Sequence, residues 1–160
     1  MATHDISYTA ISSTIPAADI VVPVIAVGKT DSPATVADTV VNLQGIGKSY
    51  RRGETATVVL DQVNLQVKAG ECVFLVGPSG SGKTTLLSIL GCVLTPDSGE
   101  AHVLGHDICR MSAPQITQLR RDRLGFVFQR FHSIRGLSAV ENVMVPLVLR
   151  GCDKTEARKK

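Results

Sequence analysis

The chain has 160 residues and a formal net charge of +3, and 44% of its residues are hydrophobic while 4% are aromatic. This length suits one domain, and because aromatic residues are scarce its core must be mainly aliphatic. No apolar run approaches the ~20 residues of a membrane-spanning helix, so the sequence predicts no such helix. No lysine or arginine precedes Lys29, which is not typical of a signal peptide. The spacing of the cysteines does not indicate a zinc site or a disulfide framework.

Residues 1–39 form a segment of low charge, rich in Ala, Thr, Ser, Ile and Val, in which no helical or strand period persists. We expect an N-terminal extension outside the core that is loosely ordered or disordered. Its apolar content would also allow it to dock on the core or to pair with a strand. No residue in it indicates chemistry.

The alternation of apolar and polar residues from position 40 onwards predicts two strands. The first leads to Tyr50 and is followed by a polar turn at 51–54. In the second, Val63 and Leu65 alternate with polar neighbours, which is typical of an antiparallel strand with one wet face. The run 72–76 is then entirely apolar and predicts a strand that is buried on both faces.

A glycine-rich loop after this strand fits G-x-x-x-x-G-K-[ST], the P-loop that binds phosphate. Its glycines let successive backbone N–H groups point into one hollow. Lys83 places an ammonium against the outer phosphates, the Thr84 hydroxyl is suited to Mg²⁺, and a helix predicted from Lys83 adds the positive end of its dipole. The phosphate-binding residues are therefore Gly77, Pro78, Ser79, Gly80, Ser81, Gly82, Lys83, Thr84 and Thr85.

The rest of the chain predicts short strands and helices in alternation. Residues 95–99 end the first helix, 100–105 form a strand, and Leu124 to Gln129 form a second buried strand. Ser112 and Ser138 each stand three residues before a Gln or a Glu, which is the capping-box spacing at the start of a helix. A helix with one apolar face follows the second box.

Four stretches together resemble the ATP-binding subunits of ABC transporters. They are Tyr50, the segment Gly70–Leu87 around the P-loop, Pro96-Asp-Ser-Gly99 and Phe126-Val-Phe-Gln129. One branch of this family includes the lipoprotein-release, macrolide-efflux and heterocyst glycolipid exporters. The sequence is similar to that branch in two segments, Leu87-Ser-Ile-Leu-Gly-Cys92 and Ala139-Val-Glu-Asn-Val-Met-Val-Pro-Leu147. The resemblance covers about residues 40–158, and the P-loop alone would indicate only the superfamily.

The resemblance implies an α/β fold, with a P-loop NTPase core, an antiparallel β subdomain and the start of a helical subdomain that is incomplete in this chain. We expect residues 1–39 to be the extension, 40–136 the nucleotide-binding core with the P-loop and a glutamine loop, and 137–160 the truncated start of the helical subdomain. The resemblance also implies ATP and Mg²⁺ as ligands, and a cytoplasmic location, peripheral on the inner face of the plasma membrane.

Further roles follow from the resemblance residue by residue. Tyr50 is expected to stack on adenine, with Val58 as an apolar neighbour, and Gln129 to join the ATP site by supplying an amide oxygen to Mg²⁺ or its water. The loop from Arg130 to Leu137 is expected to contact a membrane permease subunit, and a second ATP-binding subunit to bind head to tail. The loop departs from the family's pattern at 131–136, which leaves open which permease it recognises.

The resemblance also implies groups that this sequence lacks. Hydrolysis needs a second acidic Mg²⁺ ligand and a residue that orients water. The family supplies them from an apolar strand ending in Asp-Glu and a switch histidine, and it adds a Leu-Ser-Gly-Gly-Gln signature; none of these follows Gln129. We therefore expect no catalytic residue within this chain, the catalytic glutamate and switch histidine beyond Lys160, and a chain that alone binds ATP weakly at best and does not turn it over.

Two other functions stay open at this point. One is a truncated, non-catalytic nucleotide-binding module that competes for the permease, and the other is a soluble ABC protein that acts on nucleic acid or the ribosome. Several arginines would suit nucleic acid, but the leucines and phenylalanines among them favour a solvated rim or an acidic partner, so nucleic acid is not the expected partner. These arginines are Arg120, Arg121, Arg123, Arg130 and Arg135.

Overall fold

The computed structural model describes residues 7–10, 25–27, 39–127 and 133–159. The strands are β1 (Ser7–Ala10), β2 (Ile25–Val27), β3 (Thr39–Arg52), β4 (Thr55–Lys68), β5 (Val73–Val76), β6 (Ser98–Val103), β7 (His106–Asp107) and β8 (Leu124–Phe126). The helices are α1 (Lys83–Leu90), α2 (Ala113–Arg123), α3 (Ala139–Leu149) and α4 (Lys154–Ala157).

β3 and β4 are the long strands of a four-stranded antiparallel sheet with the order β4-β3-β6-β7. The predicted alternation is confirmed on β4, where Val63 and Leu65 are buried and the polar residues beside them are exposed. Leu60 is buried as well, although it lies three residues before Val63. The extra residue is absorbed by an irregularity in the β3–β4 ladder, where Gln62 has a φ of +50°.

The core lies between one face of this sheet and α1. Leu43 and Ile46 on β3, Leu60 on β4, and Leu86 and Ile89 on α1 are each at most 2% exposed. Burial of a side chain of this size stabilises the fold by about 1.5–3 kcal/mol relative to leaving it exposed. The core is aliphatic, as the composition predicts, and it anchors α1 firmly on the sheet.

β5, the strand that leads into the P-loop, lies outside the four-stranded sheet. It pairs antiparallel with β1, from Ser7 opposite Val76 to Ala10 opposite Val73, while β8 pairs antiparallel with β2. The prediction that this strand is buried on both faces is wrong, because residues 73–75 are half-buried and Val76 is 47% exposed. Among the described residues β5 has one neighbouring strand, and such a pair encloses neither face as a wide parallel sheet does.

The helices begin where the capping boxes predict. The backbone N–H and the hydroxyl of Ser112 both donate to Gln115 Oε1 at 2.8 Å, at the start of α2. At the start of α3 the Ser138 N–H donates to Glu141 Oε2 at 2.9 Å, and the Glu141 N–H donates to Ser138 Oγ at 3.3 Å. α3 continues through Pro146. Within the described part of the chain, no helix has the length and apolar character needed to cross a membrane.

The cysteines Cys72, Cys92, Cys109 and Cys152 are free thiols. Cys92 follows α1 and is 5% exposed, and burial raises the pKa of its thiol to about 11. Since the thiolate is the reactive form of cysteine, burial lowers the reactivity of this thiol.

Candidate nucleotide-binding site

The P-loop joins β5 to α1, and glycine shapes it for two different reasons. Gly80 and Gly82 have φ values of +82° and +91°, a left-handed conformation that residues with a Cβ rarely adopt. Gly77 acts instead by close packing, because a Cβ there would lie 3.0 Å from Ser81 Oγ. The loop therefore turns at Gly80 and Gly82 and folds back onto Gly77.

Lys83 begins α1, and its side chain returns across the loop. The ammonium donates hydrogen bonds to the carbonyl oxygens of Gly77 and Pro78, each at 2.7 Å, and to Ser81 Oγ at 3.3 Å. A cation thus lies beside the first turn of α1, where the backbone N–H groups lack intrahelical partners and carry the positive end of the helix dipole. Both features attract phosphate. Pro78, Ser79 and Gly80 lie on the exposed rim of the loop.

Thr84 offers an oxygen of the kind that a phosphate-bound Mg²⁺ requires. Its side chain is exposed in the first turn of α1, while that of Thr85 is half-buried behind it. A hydroxyl is a hard oxygen ligand, which Mg²⁺ prefers together with phosphate oxygens. In the described ranges no group of three or more His, Cys, Asp or Glu is gathered. The exposed Thr84 hydroxyl fits an Mg²⁺ ion that a bound nucleotide also ligates.

The P-loop packs directly on β4. A Cβ on Gly82 would lie 2.7 Å from the Val59 carbonyl oxygen and 2.8 Å from Leu60 Cδ2. Leu60 in turn pairs with Lys48 of β3, and Tyr50 stands two residues further along that strand. The antiparallel sheet therefore brings Tyr50 into the neighbourhood of the phosphate loop, although the two are far apart in sequence.

Tyr50 lies near the end of β3, two residues beyond Lys48. A register shift between Lys48 and Ser49 interrupts the alternation of faces there, and Tyr50 pairs with Thr57 of β4. Tyr50 is 46% exposed, so its side chain is accessible to a ligand. Val58 is next to Thr57 on β4 and is 59% exposed; the expectation that it is the apolar neighbour of Tyr50 stays a prediction.

Gln129 and residues 130–132, the first part of the loop expected to contact a permease, lie outside the described residues. Residues 133–137 are exposed, and Asn142 of α3 fixes them. Its Oδ1 accepts a hydrogen bond from the Ile134 N–H at 2.7 Å, and its Nδ2 donates to the Leu137 carbonyl at 3.1 Å. The second half of this loop is thus held on the first turn of α3.

Two residues that the sequence reasoning missed, Lys48 and Asp97, lie next to this site. Lys48 Nζ donates to Asp97 Oδ1, and Asp97 stands in the turn between α1 and β6. One feature of the sequence indicates that Lys48 has a charged or polar partner. Lys48 lies between Ile46 and Tyr50 at an inward position of an alternating strand, where a lysine needs a partner for its charge.

Comparison with known proteins identifies the family. Residues 60–160 match the family model described as ABC transporter. The macrolide export ATP-binding/permease protein MacB of Photorhabdus laumondii is 42% identical over 118 residues, and that of Bartonella quintana is 44% identical over 124 residues. These alignments cover 74% and 78% of this chain but 18% and 19% of the relatives, so the chain spans less than a fifth of the curated relatives' length.

Solved structures agree with this match. The dimeric bacterial ABC transporter cassette MJ0796 is similar with a TM-score of 0.69 at 39% identity. A dimeric post-hydrolysis state of the same ATP-binding cassette, bound to ADP and Pi, gives a TM-score of 0.68 at 40% identity. Each comparison covers 74% of this chain and 53% of the solved chain. The expected P-loop fold with its antiparallel β subdomain is confirmed, and the chain belongs to the ABC transporter family.

Proposed function

We propose that this chain is the ATP-binding part of an exporter in which ATP binding and hydrolysis drive transport through a membrane permease. The observation that carries the proposal is the position of Lys83, whose ammonium crosses the loop Gly77–Gly82 at the start of α1. The relatives named macrolide export ATP-binding/permease proteins support export. The solved cassette bound to ADP and Pi supports nucleotide binding.

Each part of the site has a distinct task in this proposal. The P-loop N–H groups and Lys83 hold the phosphates, and Tyr50 stacks on the adenine ring from the end of β3. The Thr84 hydroxyl, with Gln129 as the expected second protein ligand, holds Mg²⁺, which supplies neutralisation of the phosphate charge when it is bound. The role of Tyr50 is supported by its exposure and by the β3–β4 pairing, in which Lys48, two residues before it, lies opposite Leu60 beside the P-loop.

The partners follow from the same family. The loop from Arg130 to Leu137 is the proposed contact with the permease, and the exposure of residues 133–137 supports this. A second ATP-binding subunit binds head to tail, in line with the dimeric cassettes to which the chain is similar. The protein then works at the inner face of the membrane, with 1–39 as an extension, 40–136 as the nucleotide-binding core and 137–160 as the start of a helical subdomain.

ATP binding and ATP hydrolysis require different groups, and the sequence contains those expected for binding. The sequence holds the phosphate loop but not the acidic strand end, switch histidine or signature that the family uses for hydrolysis. We therefore propose that residues 1–160 bind ATP without steady hydrolysis, while the complete subunit turns it over. Steady release of phosphate by 1–160 that Lys83→Ala abolishes would show that the chain hydrolyses ATP by itself.

The proposal predicts that Lys83→Ala weakens ATP binding by about 10- to 150-fold, because a hydrogen bond to a charged group is worth about 1.5–3 kcal/mol. Isothermal titration of the purified chain with MgATP measures this directly. The matched control is Lys68→Ala, which removes the same charge at the far end of β4, roughly 26 Å from Leu60 at 3.3 Å per residue. Its affinity should equal that of the wild type.

Two results would contradict the proposed site. Equal ATP affinity of wild type and Lys83→Ala, with both variants folded by circular dichroism, would remove the P-loop from the binding site. An equal loss in Lys83→Ala and Lys68→Ala would show that general charge, rather than the geometry at Lys83, attracts the nucleotide.

A further inference from the structure

Lys48 and Asp97 connect the strand that carries Tyr50 to the turn that follows α1. Asp97 Oδ1 accepts from Lys48 Nζ, and Asp97 Oδ2 accepts from the Ser49 N–H at 2.8 Å. The Asp97 N–H donates to the Gly47 carbonyl at 2.9 Å, and Lys48 Nζ donates to the Thr95 carbonyl at 2.9 Å. We call this set of four hydrogen bonds the Lys48–Asp97 latch.

The latch lies where β3 loses one of its two neighbouring strands. The pairing of β3 with β6 ends at Gly47 opposite Ser98, so the end of β3 beyond it has β4 as its remaining strand neighbour among the described residues. The pairing with β4 is itself irregular there, since the register shifts between Lys48 and Ser49. Tyr50 follows immediately. The position of Tyr50 therefore depends on the latch in addition to the ladder.

The groups of the latch satisfy each other's need for hydrogen-bond partners. The Lys48 side chain is 14% exposed, so its ammonium is largely withdrawn from water and needs the acceptors that Asp97 and Thr95 supply. Asp97 binds a side chain with one oxygen and the backbone of β3 with the other. Because Lys48 and Ser49 directly precede Tyr50 on β3, movement of these two residues would also move the tyrosine relative to the P-loop.

We propose that Lys48 and Asp97 are positioning residues, which hold Tyr50 at the height above the P-loop where its ring stacks on the base of a bound nucleotide. This inference rests on the proposed function and adds the source of its base recognition. The latch affects recognition of the base, whereas Lys83 and the P-loop bind the phosphates. Loss of the latch should therefore weaken ATP more than a ligand that has phosphates and no base.

The test compares the affinities of MgATP and inorganic tripolyphosphate for the full chain. Tyr50→Ala should weaken ATP by about 5- to 150-fold, the effect of one base–aromatic stack, and leave tripolyphosphate unchanged. Asp97→Asn and Lys48→Met should each weaken ATP by about 3- to 10-fold, a part of that effect, again without changing tripolyphosphate. In a Tyr50→Ala background Asp97→Asn should have no further effect on ATP.

The matched control is Asp107→Asn. Asp107 also combines a backbone hydrogen bond, from the Cys109 N–H at 3.0 Å, with an ion pair, to Arg110 at 3.1 Å, but it lies on β7 away from Tyr50. Both ligands should bind this variant as they bind the wild type. Lys48→Arg, which keeps the charge, should recover part of the ATP affinity that Lys48→Met loses.

A second measurement needs no ligand. The chain has two tyrosines and no tryptophan, so in a Tyr8→Phe background Tyr50 is the single tyrosine that fluoresces. Asp97→Asn in that background should lower the fluorescence anisotropy of Tyr50 because its strand end becomes more mobile, whereas Asp107→Asn should leave the anisotropy unchanged.

The outcomes separate the inference from the function on which it rests. Two results would overturn the latch and leave the nucleotide site in place. One is that Asp97→Asn weakens ATP and tripolyphosphate equally. The other is that Asp97→Asn leaves ATP affinity unchanged although Tyr50→Ala lowers it. Unchanged anisotropy of Tyr50 would also overturn the latch. Unchanged ATP affinity in Tyr50→Ala would overturn both the stacking role and the latch, and unchanged affinity in Lys83→Ala would overturn the nucleotide site itself.

Discussion

At the scale of single residues, Gly82 combines two requirements that glycine alone meets. Its φ of +91° is a backbone conformation that costs other residues about 1–2 kcal/mol. In addition, a Cβ would overlap the backbone of Val59 and the side chain of Leu60, and neither can move without disturbing β4. Gly80 shares the first requirement, with a φ of +82°, but nothing lies within 4 Å of its missing Cβ. A comparison of Gly80 with Gly82 therefore distinguishes the cost of backbone strain from the cost of steric overlap.

We therefore expect Gly80→Ala to lower the free energy of unfolding by about 1–2 kcal/mol, the cost of the backbone conformation. Gly82→Ala should lower it by at least about 3 kcal/mol, because overpacking against β4 adds its own cost of about 1–3 kcal/mol. Urea unfolding followed by circular dichroism measures both. Gly105→Ala, on the far side of the sheet with a φ of +79° and open space around it, is the control and should behave like Gly80→Ala. Equal effects of Gly80→Ala and Gly82→Ala would contradict the close packing of the loop on β4.

At the scale of elements, the start of α3 depends on a reciprocal pair of side chains. The Ser138 hydroxyl accepts from the Glu141 N–H, and the Glu141 carboxylate accepts from the Ser138 hydroxyl and N–H. Ser138→Ala is expected to destabilise the chain by about 1 kcal/mol, the usual effect of losing an N-cap. Ser133→Ala makes the same change in the loop before the helix, where no helix starts, and should cost much less in urea unfolding.

The same cap makes a prediction for pH. Hydrogen bonds from the Ser138 hydroxyl and N–H hold the pKa of Glu141 below its ordinary value of 4.5. Since the pKa is depressed in the folded state, the stabilisation is fully present above pH 4.5 and is lost as pH falls through the lowered pKa. The difference in urea midpoint between wild type and Glu141→Gln should therefore be constant from pH 7 to about pH 5 and shrink below it. A difference that persists unchanged at pH 2.5 would contradict this account.

The elements that could be predicted from the sequence are those with local signals. The alternation of Val63 and Leu65, the capping boxes and the start of α1 at Lys83 each lie within a few residues, and the structure confirms them. The latch could not be predicted, because Lys48 and Asp97 are 49 residues apart and meet only through the turn after α1. The exposed faces of β5 could not be predicted either, since burial of a strand depends on neighbours that its own residues do not specify.

At the scale of the whole molecule, two short segments of the N-terminal region lie on strand edges. β1 covers one edge of β5 and β2 covers one edge of β8, both antiparallel. An uncovered edge presents a row of free N–H and C=O groups and is a template for pairing with another chain. Apolar surface is also accessible at both places, since Val76 at the end of β5 is 47% exposed and Val127, the residue after β8, is 62% exposed. We therefore expect the N-terminal segments to protect β5 and β8 against self-association.

This protection can be removed without shortening the chain. In an antiparallel ladder successive N–H groups of a strand point alternately to its two sides, so the double variant Tyr8→Pro/Thr9→Pro removes an N–H that faces β5 whichever residue carries it. Light scattering during size-exclusion chromatography should then show more concentration-dependent self-association than in the wild type. Ala17→Pro/Ala18→Pro places the same two prolines between β1 and β2 and should leave the elution unchanged. If both double variants elute as the wild type does over the same concentrations, the pairing of β1 with β5 does not guard that edge.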